Sequence, residues 1–416
     1  MDVKSRTILF LSNGHGVDTV SCHIIKELQR RSRKVEILAF PLVGDGDAYR
    51  PHQITLIDPP AGTPCHGFEK NTVKFLLGIL RGNLLLTTKE QRKALRSLRH
   101  HVDFVIAVGD CFPAFAAAWM RVPFIFVGIN KSDYYREPGR RYLPWERHVM
   151  RKALMTFVRD EVTLRGLRLK GLTNVTYVGN PMMDFDGMSH ETTYTKRTGQ
   201  VVGLLPGSYQ DLYMNMSDLL KVTAMIRALS PYSSGIHFVM AAPPCVTASS
   251  VSQPEFPGWT FVPHSNLVED DVFVGMWTNA EFEVHLWSKH FHEILSSCDV
   301  VIGLSGTANE QAAGLGIPVV SFPSRGIQYK KSFARAQHDL LGNALAFIEG
   351  DFRSVAQKVI NILHSPELHR QMADAGRERM GKPGATQRIA EYILHLCDRP
   401  TNGLTAPESC PGQQKV

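Results

Sequence analysis

No stretch of this sequence has the length of apolar run that a membrane-spanning helix needs, which excludes a helical integral membrane protein. Cysteine is sparse and unpaired in pattern. Its seven copies (Cys22, Cys65, Cys111, Cys245, Cys298, Cys397 and Cys410) stand in scattered apolar contexts with no CxxC pair, so they compose no disulfide framework and a reducing compartment follows. The opening MDVKSRTILFLSNGHG passes from a short polar lead into a strand and a glycine turn, without a long apolar core or a small-residue cleavage site; no secretory signal is expected. Repeats at solenoid periods are lacking, as is any RNA- or DNA-binding motif, and nucleic acid is therefore excluded as a partner. His285, His290 and His292 lie close together, but no cysteine or carboxylate completes a recognisable ligand spacing, so no metal is expected.

What is present describes a soluble globular protein. The 416 residues are 44% hydrophobic and 20% charged, enough for two domains with their own cores. A formal net charge of +7 suits an anionic partner, whether a phosphorylated substrate or an anionic membrane surface. Basic residues are densest between Lys89 and His101, where Arg92, Arg96 and Arg99 recur at helical spacing with Leu95, Leu98 and Val102 offset from them. A solvated helix face and a membrane contact both fit that pattern.

Short apolar runs at Thr7–Leu11, Val35–Phe40, Phe104–Val108, Phe124–Val127, Thr156–Val158 and Val175–Val178 alternate with helix-like segments, the pattern of a parallel sheet. Residues 185–199 are polar and aperiodic and read as a linker. A second series follows at Val201–Leu205, His237–Ala241, Thr260–Val262, Asp299–Leu304 and Val319–Phe322, with a Pro- and Ser-rich surface loop at 245–258. The fold class is α/β, two doubly wound Rossmann-like domains at 1–184 and 200–385. An amphipathic helix occupies 386–398, and the tail 399–416 lacks apolar periodicity and reads as disordered.

In doubly wound sheets ligands bind outside the carboxyl ends of the strands, and four stretches hold that position. Asn13-Gly14-His15-Gly16 follows the first strand: its glycines allow close backbone approach, and His15 is either a general base or a loop histidine held by backbone contacts. Asp110 follows Gly109 at another strand end, where an apolar setting would raise its pKa and favour base catalysis. Capping the next helix is the competing account, set lower because Pro113 already fits the helix start. Pro206-Gly207-Ser208 is a phosphate-capable turn. The fourth, Ser305-Gly306-Thr307, opens a helix whose Thr307 and Glu310 fit a capping box, and the helix start is a natural seat for an anion.

LLPGS at 204–208, YVGNPMMD at 177–184 and SGTANEQAAGLGIPVV at 305–320 resemble the lipid-A-disaccharide synthase branch of the GT-B glycosyltransferases. SNGHGVD at 12–18, VGINKSDYY at 127–135 and YLPWER at 142–147 look like its uncharacterised sister group, the lipid-A-disaccharide synthase-related proteins. The resemblance implies GT-B architecture, two domains facing across a cleft with the last helix crossing back onto the first. It also implies a metal-independent, inverting transfer from a UDP-sugar to a lipid or lipid-linked acceptor at the cytoplasmic face of a membrane. The donor would meet Gly207, Ser208, Tyr209, Ser305, Gly306, Thr307, Glu310 and Gln311; the acceptor would meet Asn13, Gly14 and Gly16, with Asp110 or His15 as base. Two positions depart from the branch pattern: Tyr209 replaces an arginine, and Gln311 stands where relatives place a ribose-binding glutamate. GT-B epimerases of UDP-sugars, and a non-catalytic nucleotide-sugar binder, are the alternatives. The apolar segment Val73–Leu86 is too short to span a bilayer and is either an interfacial anchor or a buried helix.

Overall fold

The computed structural model describes residues 5–32, 34–52, 54–57, 89–135, 141–184, 199–207, 211–230, 235–243, 246–252, 256–264, 273–288 and 291–398, with His15 and Lys89 by their backbone alone. The anchor segment Val73–Leu86, the linker up to residue 198, the tail 399–416, and Ser208 and Tyr209 lie outside the described residues. The chain divides into two compact units, Met1–Asp186 with Lys382–Val416, and Gly187–Gly381.

The first unit runs β1 (Arg6–Ser12), α1 (His15–Arg31), β2 (Val35–Pro41), β3 (Thr55–Leu56), α2 (Lys89–Leu98), β4 (Phe104–Gly109), α3 (Cys111–Met120), β5 (Phe124–Gly128), α4 (Pro144–Met150), β6 (Met155–Val158), α5 (Glu161–Leu169) and β7 (Val175–Thr176). Its strands are parallel in the order β3-β2-β1-β4-β5-β6-β7, with Phe10 of β1 level with Ala39 on one side and Ile106 on the other. Helices cover both faces, so successive residues of β1 enter different cores: Ile8 and Phe10 pack with α1, Leu9 and Leu11 with α3. Burial on both sides is why these strands read as unbroken apolar runs.

The second unit runs β8 (Gln200–Leu205), α6 (Leu212–Leu229), β9 (Ile236–Ala242), α7 (Ala248–Ser252), β10 (Thr260–Pro263), β11 (Phe273–Thr278), β12 (Glu283–Ser288), α8 (Phe291–Ser296), β13 (Val300–Gly303), α9 (Gly306–Gly314), β14 (Val319–Ser321), α10 (Lys331–Leu341), β15 (Leu345–Phe347), α11 (Phe352–His364) and α12 (Pro366–Met380). The order is β10-β11-β12-β9-β8-β13-β14-β15. Strands β12 to β15 in that order are parallel, and β10 and β11 extend the edge antiparallel. The antiparallel edge is an addition to the doubly wound half expected from the sequence. Strands β11 and β12 escape the apolar-run criterion for separate reasons. Gly275 interrupts β11 at a register shift, with φ near +150° because a β-carbon there would fall 2.5 Å from the Val262 carbonyl oxygen. Strand β12 alternates buried Val284, Leu286 and Ser288 with more exposed partners, the signature of a half-buried strand. The loop expected at 245–258 contains α7, pinned by buried Val251.

The last helix, α13 (Ala385–Cys397), belongs to the first unit, where Ile389, Ala390, Tyr392 and Ile393 pack among Ile8, Phe10 and Phe157. Asp184 caps it from 200 residues away, accepting from the Gly384 amide and, at 2.6 Å, from the Thr386 amide. In the second unit α12 rests on α9 at the point where Gly376 meets the Ala313 carbonyl; a β-carbon at Gly376 would lie 2.1 Å from that oxygen. Gly376→Ala must therefore push α9 away. The expected cost is roughly 1–3 kcal/mol, seen as a lower urea midpoint with an unchanged slope.

Candidate functional site

The strand order reverses between β1 and β4 in the first unit and between β8 and β13 in the second, which also turns back at its β10 edge. In the second unit the two strand ends are tied by the Leu304 amide donating to Leu205 O at 2.9 Å. Gly207 then turns with φ +84°, so close to the other loop that a β-carbon would lie 3.2 Å from Leu304 O and 3.9 Å from Ser305 Cβ. The structure thus brings Gly207 together with Ser305, Gly306 and Thr307. Asn215 of α6 fixes the turn, its amide donating to Pro206 O at 2.8 Å.

Ser305 occupies the cap position of α9 in extended conformation, but no side chain closes the helix start. The capping box read from Thr307 and Glu310 does not form. Glu310 is buried and accepts from Gln337 Nε2 of α10 at 3.2 Å, a partner 27 residues away, while Thr307 stays exposed. Among the described residues no side-chain acceptor is seen on the first amides of α9, and with the helix dipole they favour an anion. Gln311 sits one turn further on, partly exposed. Behind the seat, buried Asn309 donates to Gly303 O at 3.3 Å and to the Tyr329 hydroxyl at 3.0 Å, and Ser321 Oγ lies 2.7 Å from the same carbonyl. These supporting residues carried no sequence signal of their own, because their contacts join β13, α9 and the loop after β14.

In the first unit Gly14 turns with φ +124° and α1 begins at His15, so Asn13 and Gly14 sit at the loop and His15 and Gly16 in the first turn. Gly109 ends β4 with φ +125°, and a β-carbon there would overlap the Asn13 carboxamide. That contact seats Asn13 against Asp110, whose carboxylate takes a hydrogen bond from it. Asp110 also caps α3, accepting from the Phe112 amide at 2.7 Å. The helix starts at Cys111, two residues before Pro113, so the capping account ranked lower from sequence is the geometry found. Capping does not silence the carboxyl group. Burial raises its pKa and Glu146 adds to the rise, against the Phe112 amide, Lys131 and Asn13, which favour the charged form.

Two motifs without an assigned role meet here. Lys131, after β5, pairs with Glu146 of α4, which is only 2% exposed and also accepts from the Leu143 amide at 2.8 Å. The Cys111 thiol bonds to the same carboxylate, and burial pushes that thiol well above its ordinary pKa. A further missed residue is Asp18, in the first turn of α1. It is 2% exposed, one of its oxygens is buried without a hydrogen-bond partner among the described residues, and it lies against Ser12, whose hydroxyl is 2.7 Å from that of Tyr49. Among the described residues no three His, Cys, Asp or Glu side chains gather as a metal site, and no helix is long and apolar enough to cross a membrane.

The chain matches no protein-family model. It is 27% identical over 252 residues to lipid-A-disaccharide synthase of Trichlorobacter lovleyi and 24% identical over 246 residues to that of Syntrophotalea carbinolica. Each match takes in 54% of this chain, and 58% and 56% of the two relatives, so the chain spans little more than half the length of the curated relatives it matches. Among solved structures it superposes on Staphylococcus aureus MnaA in complex with UDP (TM-score 0.57, 14% identity, 94% of this chain and 97% of that one) and on Acinetobacter baumannii MurG (TM-score 0.54, 11% identity, 94% and 100%). The chain has the GT-B fold. Its two strand-order reversals are where this GT-B chain concentrates its glycine turns, its open helix start and its buried carboxylates.

Asp18 gives a pH test of the site's packing. Burial, partly opposed by Ser12 and reinforced by Asp47, pushes its pKa up to about 7 from an ordinary value of 3.8. The protonated form is thus the one the fold prefers. Stability from this group is fully present below about pH 4 and is lost as pH rises to about 7, a change of as much as about 4 kcal/mol. Asp18→Asn should remove that dependence: relative to wild type, its urea midpoint rises at pH 8 and is unchanged at pH 4.

Proposed function

We propose that this protein is a glycosyltransferase that moves a sugar from a UDP-sugar to a lipid or lipid-linked acceptor with inversion. One observation carries the reading: the start of α9, whose cap residue Ser305 makes no side-chain capping bond, stands at the strand-order reversal of the second unit with Gly207 against it. A diphosphate accepts hydrogen bonds from the Gly306 and Thr307 amides there, and the helix dipole favours its charge. Gln311 serves the ribose hydroxyls. The acceptor meets Asn13, Gly14 and Gly16 of the first unit. Asp110, or His15, takes the proton of the acceptor hydroxyl as its oxygen bonds to the anomeric carbon, and the bond to the diphosphate breaks with its electron pair leaving on UDP. Amides stabilise the departing charge, with no metal ion required.

The similarity to lipid-A-disaccharide synthases supports the choice of a lipid-linked acceptor, and the net charge of +7 suits work at the anionic inner face of the cytoplasmic membrane. Epimerisation of a UDP-sugar is a second reading, favoured by the similarity to solved UDP-N-acetylglucosamine 2-epimerases. Product analysis without an acceptor separates the two, since only an epimerase changes the sugar.

Calorimetric titration with UDP, UDP-N-acetylglucosamine, UDP-glucose and ADP-glucose tests the donor seat: the UDP compounds bind selectively and Thr307→Arg abolishes the heat, whereas unchanged binding in the variant moves the seat elsewhere. For the chemistry, Asp110→Asn keeps the cap acceptor and the fold but loses glycoside formation by on the order of 100-fold or more. Retained turnover removes Asp110 from the mechanism and leaves His15.

A further inference from the structure

At the sheet's carboxyl end in the first unit, Asp110 stands near an ion pair, Lys131 with Glu146, to which the proposed reaction gives no role. Asp110 is held in place from two directions, by the Asn13 amide across the strand-order reversal and by the Phe112 amide of its own helix. Helix α4 packs on α3 just beyond it and carries Glu146. That side chain is fixed at every bond it can make: Leu143 N–H donates to Oε2, Lys131 pairs with Oε1, and the Cys111 thiol, next in sequence to Asp110, donates to it as well. Lys131 is in turn held by position, its carbonyl accepting from the Tyr142 hydroxyl at 3.4 Å and its ammonium standing 5.6 Å from the centre of the Tyr142 ring.

A nearly buried carboxylate that is paired with a single lysine costs more to desolvate than a surface pair returns, so its presence asks for a role other than stability. We propose that Glu146 and Lys131 act as positioning residues for Asp110: Glu146 anchors the ammonium within electrostatic reach of the Asp110 carboxylate, and the pair sets how readily that carboxylate takes a proton. Among the described residues the side chains that act on the Asp110 carboxyl are Asn13 from the β1 loop, Lys131 from the β5 loop and Glu146 from α4, with Cys111 next to it on its own helix. Of these Lys131 and Glu146 form the ion pair, with opposite signs. Removing either therefore has a defined direction. Neutralising Glu146 leaves the lysine's charge uncompensated and favours ionised Asp110; neutralising Lys131 leaves Glu146 alone and favours protonated Asp110.

The inference rests on the reading of Asp110 as the base, yet its test needs no turnover. The γ-carboxyl of Asp110 is followed by carbon-13 NMR in protein labelled at aspartate, with Asp110→Asn assigning the signal. Glu146→Gln, which keeps an acceptor for the Leu143 amide, is expected to move the midpoint down by roughly half a unit to one unit, and Lys131→Met to move it up by a similar amount. Opposite shifts are what a merely structural disturbance would not give. Should Lys131→Met fail to fold by circular dichroism, Lys131→Arg replaces it and leaves the midpoint within 0.2 units or so of wild type while Glu146→Gln still lowers it. A midpoint unmoved in Glu146→Gln, or moved the same way in both variants, overturns the proposal even in a protein that forms glycoside. Opposite shifts in a protein that forms none sustain the pair's role and overturn only the transferase reading.

Discussion

A parallel strand can be reached only by a crossover, and the crossovers change sides of the sheet after β3 in the first unit and after β12 in the second. At that one place two neighbouring strands send their loops in opposite directions and leave a gap at the sheet's carboxyl edge. The rest of the chemistry depends on it. Asn13 can lie against Asp110, and Gly207 against Ser305, because β1 is beside β4 and β8 beside β13, so that their loops leave neighbouring strand ends. In both gaps a glycine is the residue that permits contact. Gly109 accommodates the Asn13 carboxamide and Gly207 the Leu304 carbonyl, and each takes a positive φ that other residues rarely adopt.

The two gaps resolve the same problem in opposite ways. A helix start beside a strand end presents amides that need acceptors. At α3 the chain supplies its own acceptor, and the result is a carboxylate fixed in direction, partly buried and made more basic by its surroundings. At α9 the Glu310 carboxylate accepts from Gln337 and the cap residue Ser305 makes no side-chain bond to the helix start. One gap thus holds a capped helix start with a partly buried carboxylate, and the other a helix start that its own cap residue leaves open. The first unit adds Asp18 and Glu146 as further buried carboxylates, groups whose burial costs stability unless it is offset by bonds such as those from Lys131 and Leu143.

Most of the parallel scaffold was legible from residues alone. Strands such as Leu9–Leu11 or Val300–Ile302 are buried on both faces, so hydrophobicity is continuous along the chain and needs no neighbour to be recognised. Legibility failed where a second element competes for a residue. Gly275 breaks β11 because another strand's backbone crowds it, and Glu310 leaves the capping box because a glutamine on α10 reaches it first. Lys131 and Glu146 are 15 residues apart, a spacing that neither helix nor strand periodicity would pair.

The sequence by itself determined the α/β class and the placement of glycine turns at strand ends, since local periodicity and turn chemistry act over a few residues. The tertiary structure alone decided which helix start its cap residue closes, that Asp110 is a cap as well as a partly buried acid, that Asp18 is buried against Ser12, and that Lys131 pairs with Glu146. Those outcomes depend on burial and on partners distant in sequence: a carboxylate's bonds and proton affinity are set by whatever the fold packs around it.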